Sequence, residues 1–334
     1  MKGTVVLGFS GGVDSACAAA LLRREGWDVR ALYLENGSGE AEAARAAPGR
    51  WASRWRSSTR ARSLKIRLPP LCGGLCRGET PSPCVLCNPA VKLRLLCEYA
   101  DALGAKYIAT GHYARAGGGA LYMGRPENDQ SYMLCRILPG QLSRLMLPLG
   151  GMIKTETRAL AASLGLPVAQ KPDSMELCFV PGGDYAAWLE QRGDAPEPGD
   201  IIYNGRAVAR HGGIHRFTLG QRRGLGYAAG KRVYVSEIRP ATGEVARRRG
   251  RAVLTDSRPR TCAGWSRSRR HPSTARCVRH SRTLTSARAC PEGGGRLRTR
   301  RPPSRPTPGQ TAAIYSAGRV LGGGFIERDT KDTI

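Results

Sequence analysis

Residues 5–15 read Val-Val-Leu-Gly-Phe-Ser-Gly-Gly-Val-Asp-Ser, an apolar run that breaks at Ser10-Gly11-Gly12-Val13-Asp14-Ser15 and passes into the helix-forming stretch 16–25. An apolar strand that ends in a glycine turn and continues as a helix is the opening of an α/β layer structure. A second strand is legible at 28–34, Asp-Val-Arg-Ala-Leu-Tyr-Leu. Strand 4–9, helix 16–25 and strand 28–34 therefore form a βαβ unit, expected to cross over right-handed into a parallel sheet. The turn itself suits an anion. Gly11 and Gly12 admit backbone conformations closed to residues with side chains, so successive N–H groups can converge on phosphate oxygens, helped by the dipole of the following helix. Ser10 and Ser15 add hydroxyl donors.

No Lys stands where a G-x-x-x-x-G-K-[ST] loop requires one, which excludes the loop of γ-phosphate-transferring ATPases. The S-G-G-x-D-S form is similar instead to the PP-loop. That resemblance implies cleavage of ATP between its α and β phosphates, with AMP left on an acceptor oxygen. A glycine turn without ligand is the plainer alternative, and six consecutive matching positions in a strand–loop–helix context weigh against it.

Downstream, a helix is expected from Pro89 to Leu103, with Asn88 as N-cap and Pro89 at the first helical position. Strand 107–110 follows and ends in Gly111-His112, which places these two at the carboxyl end of a parallel strand, where open α/β sheets bind ligands. Helix 154–164 stops at Gly165. After about residue 190 the pattern changes to short strands and glycine turns, as at Gly205, Gly212-Gly213 and Gly224-Leu225-Gly226, and a small β-rich region begins.

A chain of 334 residues can bury a substantial core and is expected to divide into two or three domains. No apolar run reaches transmembrane length, and Met1-Lys2-Gly3 leads straight into a strand, so a cytoplasmic protein without membrane attachment is expected. The formal net charge of +27 would ordinarily mark a nucleic-acid binder, but its distribution weakens that inference. Residues 48–77 hold seven Arg and one Lys with no acid; residues 252–305 hold fourteen Arg against Asp256 and Glu292. The second stretch has no Ile, Phe, Tyr or Met and only Trp265 as an aromatic, so it cannot fill a core. Yet strand-like sequence flanks it at 231–236 and 312–315. Translation of a GC-rich gene in the wrong frame accounts for both stretches. Genuine basic insertions that bind RNA through phosphate contacts are the alternative.

Eleven cysteines in a cytosolic chain point to reactive thiols or a metal rather than to a disulfide scaffold. Cys17 and Cys97 inside helices and Cys135 in an apolar stretch read as small buried residues, and Cys262, Cys277 and Cys290 fall in the Arg-rich stretch. Cys72-x3-Cys76 followed by Cys84-x2-Cys87 can be read as four zinc ligands, although the first pair lies in the 48–77 stretch. Cys87 would sit just before the expected helix N-terminus, where the dipole and free N–H groups favour a nucleophilic thiolate. Cys178 follows a Lys-Pro turn. Two such thiols beside a nucleotide cradle suggest ATP activation coupled to sulfur transfer.

The later motifs carry a family resemblance. They are Thr-Pro-Ser-Pro-Cys-Val-Leu-Cys-Asn at 80–88, Ala-Thr-Gly-His-Tyr-Ala-Arg at 109–115, Asp-Gln-Ser-Tyr at 129–132 and Lys-Pro-Asp-Ser at 171–174 with Cys178-Phe179. Thr-Leu-Gly-Gln-Arg-Arg-Gly-Leu-Gly at 218–226, Thr-Pro-Gly-Gln at 307–310 and Leu-Gly-Gly-Gly at 321–324 complete the series. In this order, from residue 4 to 327, the chain resembles the bacterial tRNA-specific 2-thiouridylases, interrupted by the two Arg-rich stretches. The resemblance implies an α/β fold: an N-terminal parallel-sheet PP-loop domain (adenine nucleotide alpha hydrolase-like) at 1–188, followed by two smaller β-rich domains. These would be a small central β domain at 189–247 and a C-terminal β-barrel-like domain at 248–334. Carried over by motif, Gly8, Phe9, Ser10, Gly11, Gly12, Val13, Asp14, Ser15, Leu34 and Gly111 would hold ATP. Cys87 would be the nucleophilic cysteine and Cys178 the carrier of a persulfide. Ser82, Pro83 and Cys84 would flank the target base, while His112, Asn128, Asp129, Gln130 and Gln310 would contact tRNA. Position 84 is Asp in some members, so an acid–base role of that Asp does not pass to Cys84. The family's tRNA-contacting Arg-Tyr pair has no counterpart in 252–305, and the sheet strand and helix expected in 48–77 are not legible.

The implied reaction is 2-thiolation of the wobble uridine of tRNA. The C2 oxygen is a poor leaving group, so ATP with Mg²⁺ first adenylates it. Sulfur from a Cys178 persulfide then displaces AMP, directly or after release as sulfide when Cys87 forms a disulfide with Cys178. The base must leave its stack to reach the site. A cysteine desulfurase or sulfur-relay protein would supply the sulfur. Three readings stand beside this one: an iron–sulfur cluster on Cys84, Cys87 and Cys178, a non-catalytic tRNA-binding protein, and a frame-damaged inactive copy of the enzyme.

Overall fold

The computed structural model describes residues 2–34, 69–170, 177–178, 180, 183–227, 229–249, 273–277, 283–289, 295–298 and 307–326. Much of the two Arg-rich stretches and the motif at 171–176 thus lie outside the described residues. The chain divides into two compact units: one takes in Met1–Ile66, Cys84–Gly183 and Ala317–Leu321, the other Arg67–Pro83, Asp184–Ser316 and Gly322–Ile334.

The first unit carries strands β1 (Thr4–Phe9), β2 (Asp28–Tyr33), β3 (Tyr107–Ala109), β4 (Ala114–Gly117), β5 (Ala120–Met123) and β6 (Leu145–Met146). Four of them form a parallel sheet in the order β2-β1-β3-β6, with Thr4 opposite Asp28, Val5 opposite Tyr107 and Ile108 opposite Leu145. β1 is central and buried on both faces, which is why it reads as a continuous apolar run without alternation. Val5, Leu7 and Phe9 pack with Cys17, Ala18 and Leu22 of helix α1 (Val13–Arg24), whereas Val6 packs with Leu93, Leu96, Ile108 and Leu134. A Cβ on Gly8 would come within 3.2 Å of Leu96 Cδ1, so a side chain there would have to displace Leu96 slightly. β4 and β5 form an antiparallel hairpin, and the strand Arg319–Phe325 adds to β5 with Arg319 opposite Tyr122.

The helix expected to start at Pro89 is found in another form. Helix Pro83–Cys87 runs through a π turn at Asn88–Lys92 into helix Leu93–Ala102. The widened turn, in which the Leu93 N–H bonds to the Asn88 carbonyl, takes Pro89 inside the helix despite its missing N–H. Asn88 is therefore not an N-cap; it is buried and donates from Nδ2 to the Met133 carbonyl at 2.9 Å.

The second unit holds helices Pro69–Cys76 and Tyr185–Gln191, the latter capped by Asp184, whose carboxylate accepts from Ala186 N–H and Ala187 N–H at 3.0 Å. The first of these lies in the 48–77 stretch, where Gly73 and Gly74 had hidden its helical character. Strands β7 (Gly199–Tyr203), β8 (Arg206–His211), β9 (Val233–Arg239) and β10 (Glu244–Arg249) form a sheet in the order β8-β7-β10-β9. Ile201, Ile214, Phe217, Val235 and Val245 make its core. Strands β11 (Ser273–Cys277), β12 (Thr283–Ala289) and β13 (Gly295–Arg298) arise inside the 252–305 stretch and pair antiparallel in sequence, with β11 also pairing β14 (Thr311–Ser316). Such ladders use backbone N–H and C=O groups that every residue but proline carries, so core-forming side chains are not needed to draw a strand.

Candidate active site

The glycine turn closes β1 and opens α1, three residues earlier than the composition indicated. Gly11 adopts φ +74°, in the left-handed region that suits glycine, and Gly12 precedes the helix with no side-chain cap, so the first-turn N–H groups stay available to an anion. Ser10 Oγ and Ser15 Oγ lie 3.2 Å apart, and Ser15 Oγ donates to the Gly12 carbonyl at 3.0 Å. Gly111, at the end of β3, lies against this turn: a Cβ there would be 3.0 to 3.1 Å from the Asp14 C and O atoms and the Ser15 N. Asp14 accepts hydrogen bonds from Tyr113 Oη at 2.6 Å and from Lys154 Nζ at 2.7 and 2.8 Å. Burial and the bond to Asp14 raise the Tyr113 phenol well above its ordinary range, so it remains a donor. Lys154 was not expected at the site. Its signal is its place at the N-terminus of helix Lys154–Ser163, where the helix dipole disfavours a cation.

The cysteines occupy a second recess of the same unit. Cys87 ends a helix instead of preceding one, so the expected benefit from a helix N-terminus does not arise. Burial pushes its thiol up to about 11, against the pull of Lys92 and of the Lys92 backbone N–H that faces the sulfur. Lys92, at the end of the π turn, acts electrostatically on Cys84, Cys87 and Cys178. Its charge also reaches His112, whose imidazole is pushed down to about 3, first by burial and then by Lys92. His112 Nδ1 lies 2.8 Å from Thr110 Oγ1. Cys178 is exposed. Leu34, at the end of β2, packs on the cluster of Cys87, Val91 and Leu95. A residue expected to hold ATP thus lies against the cluster that carries the cysteine. Lys92 also escaped the sequence reading; its signal is a lysine set in the apolar run Val91-Lys92-Leu93-Arg94-Leu95-Leu96.

Other expected residues are tied into the fold. Asn128 Oδ1 accepts from the Lys154 N–H at 2.9 Å, and Gln130 Oε1 from the Tyr113 N–H at 3.1 Å. Buried Asp129 accepts from Gly124 N–H, Ser131 N–H and Ser131 Oγ. In the second unit, Ser82 and Pro83 follow a segment held by the bond from Thr80 N–H to the Pro308 carbonyl at 2.7 Å, next to buried Gln310. Of the thiols read as inert, Cys17 and Cys135 are buried and Cys97 is partly exposed. Among the described residues no group of three or more His, Cys, Asp or Glu side chains is arranged to hold a metal ion. The Cys84, Cys87 and Cys178 set therefore does not fit an iron–sulfur cluster, nor do Cys76, Cys84 and Cys87 belong to a zinc site. Among these residues, too, no helix is long and apolar enough to cross a membrane.

Residues 3–71 and 68–182 match the family described as tRNA methyl transferase HUP domain, and residues 187–246 the tRNA methyl transferase PRC-barrel domain. The tRNA-specific 2-thiouridylase MnmA of Rhodospirillum centenum is 39% identical over 360 residues, covering 97% of this chain and 91% of the relative. The protein of that name from Sorangium cellulosum is 37% identical over 353 residues, covering 97% and 92%. The chain belongs to the tRNA-specific 2-thiouridylase family. A third member, from Xanthobacter autotrophicus, is 43% identical over 264 residues, covering 72% of this chain and 68% of its own length. Membership accords with the parallel sheet and the β-rich second unit, and with the motif series that first pointed to this family.

Proposed function

We propose that this protein uses ATP to convert the C2 carbonyl of the wobble uridine of tRNA into a thiocarbonyl. One observation supports the reading: Leu34, carried over by motif as an ATP-binding residue, packs against the cluster that contains Cys87, so activation and sulfur transfer would converge in one unit. The family description speaks of methyl transfer, but a methyl transferase has no use for a loop that splits ATP or for paired thiols, whereas thiolation needs both. The glycine cradle, Ser10, Ser15 and Gly111 bind the phosphates of Mg²⁺–ATP. Lys154, released from Asp14, is placed to neutralise charge as pyrophosphate departs. Cys178 receives sulfur from a cysteine desulfurase or relay protein. Cys87 attacks the Cys178 persulfide, and the sulfur displaces AMP from C2. Cys84 and His112 lie beside these thiols, where an extruded base would be received, and Ser82, Pro83, Asn128 to Gln130 and Gln310 support the tRNA. A tRNA-dependent conversion of ATP to AMP, with 2-thiouridine detected in the digested tRNA, tests the reading; AMP formation that ignores tRNA overturns it.

The family matches end at 182 and resume at 187, which supports a boundary near 188 between catalytic and central domains, with the C-terminal domain from 248. The match to the first domain breaks and restarts at 68–71, inside the Arg-rich 48–77 stretch. This supports a frame error there, and an uninterrupted single frame on resequencing would refute it. The reaction places the enzyme in the cytoplasm, where its tRNA substrate resides.

A further inference from the structure

Lys92 presents an ammonium to the three thiols, with no carboxylate acting on it among the described residues. Among the described residues its ammonium has no hydrogen bond or ion pair, and the groups acting on its charge are the thiols of Cys84, Cys87 and Cys178. His112 also faces it and is neutral near pH 7. A lysine partly withdrawn from water without a counter-anion is unfavourable unless an anion forms beside it. The π turn makes the placement. On a continuous α-helix, residues five apart point about 140° away from each other. Closure of Asn88–Lys92 as an i→i+5 turn instead brings position 92 back over Cys87, whose sulfur faces the Lys92 N–H.

We infer that Lys92 is a positioning residue for sulfur transfer, the counter-cation for the anions that arise as sulfur passes from Cys178. This rests on the two-cysteine reading above. The Cys87 thiolate attacks Cys178 Sγ of the persulfide; the bond from Cys178 to the terminal sulfur breaks as the Cys87–Cys178 disulfide forms, and the electron pair leaves with hydrosulfide. One anion is consumed and one is released, so a single fixed cation serves both. Hydrosulfide attacks C2, AMP departs, and a dithiol reductant returns the disulfide to two thiols.

The rate of Cys87 alkylation by iodoacetamide, followed by peptide mass spectrometry from pH 7 to 10 on the whole chain without tRNA or ATP, tests this. Lys92→Met and Lys92→Gln should slow alkylation about tenfold at each pH, the thiolate lost when the thiol titrates one unit higher, while Lys92→Arg stays close to the parent. Turnover in the neutral variants should fall in kcat with the KM for tRNA unchanged. An unchanged rate overturns the inference, as does an Arg variant slowed as far as Met. If circular dichroism finds both neutral variants unfolded, Lys92 is structural and the inference also falls. The parent reading fails separately, if Cys87→Ser keeps full turnover.

Discussion

The two recesses of the first unit manage charge in opposite ways. In the nucleotide cradle every charged group is already matched: Asp14 accepts from Lys154 and Tyr113, and positive potential for phosphate comes from backbone N–H groups of a glycine turn. In the cysteine recess one ammonium stands without a carboxylate partner among the described residues, and burial raises the thiols of Cys84 and Cys87. A site that binds a ready-made polyanion can wait in a neutralised state, because the ligand brings its own charge. A site that must create an anion during the reaction needs an uncommitted cation in place beforehand.

The sharpest way to break this comparison is to remove the sulfur carrier. Cys178→Ser should abolish both persulfide loading and thiolation, since a hydroxyl cannot store sulfur, while tRNA-dependent adenylation, read as pyrophosphate release, continues. Cys87→Ser should still load sulfur on Cys178 and fail to release it. Mass spectrometry after incubation with a cysteine desulfurase and cysteine reads the added sulfur, and 2-thiouridine made by Cys178→Ser would sink the assignment.

A somewhat smaller effect is expected in the cradle. Gly111→Ala places a methyl group 3.0 to 3.1 Å from the Asp14 and Ser15 backbone, which must move. A 1 Å misplacement costs about 100-fold in rate, so a shift of a few tenths of an ångström in the phosphate-binding N–H groups costs about threefold to tenfold. AMP formation should fall by that order with tRNA affinity retained; wild-type turnover would mean that Gly111 does not set the cradle's geometry.

The two recesses also differ in how far they could be read from the chain. The cradle is local: strand, turn and helix are contiguous, and Gly11 carries its positive φ in its identity. Its partners Tyr113 and Lys154 come from distant sequence, as does Gly111, and the pairing of the first two with Asp14 is a product of the sheet. The cysteine recess depends on an irregularity that propensity does not encode. Pro89 after Asn88 reads as a helix start, yet the widened ladder absorbs the proline, carries the helix back to Pro83 and reverses the electrostatic setting of Cys87. Lys92 was passed over for the same reason, because on an uninterrupted helix it would not face the thiols. In the second unit the glycine-punctuated β pattern was legible, whereas strands β11 to β13 were not, since their pairing owes nothing to apolar alternation.

His112 offers a pH handle on the recess. Its folded-state value of about 3 lies below the ordinary 6.5. Between these values the unfolded chain binds a proton that the folded chain does not, so stability contributed by the neutral imidazole is lost as pH falls below 6.5 and the loss is complete below about 3. Thermal unfolding of the parent should therefore decline more steeply from pH 7 to 4 than that of His112→Gln. Parallel curves would mean that the imidazole is protonated in the folded protein, contrary to the neutral neighbour that leaves Lys92 as the recess's cation.

The smallest effect separates working thiols from packing ones. Cys17 is fully buried against the sheet, and its Sγ–H donates to the Thr157 carbonyl at 3.3 Å. Burial, with the nearby Asp14 charge, pushes the thiol up to about 11, so it stays protonated and unreactive. A serine hydroxyl keeps the donor but places a more polar atom in an apolar cluster, so Cys17→Ser should cost about 1 kcal/mol in denaturant unfolding. Cys97→Ser, at a partly exposed position, should cost less. Neither should alter sulfur loading or AMP formation per folded molecule. A loss of thiolation in Cys17→Ser at unchanged stability would place a third thiol in the chemistry and dissolve the division between a matched cradle and a single anion-forming recess.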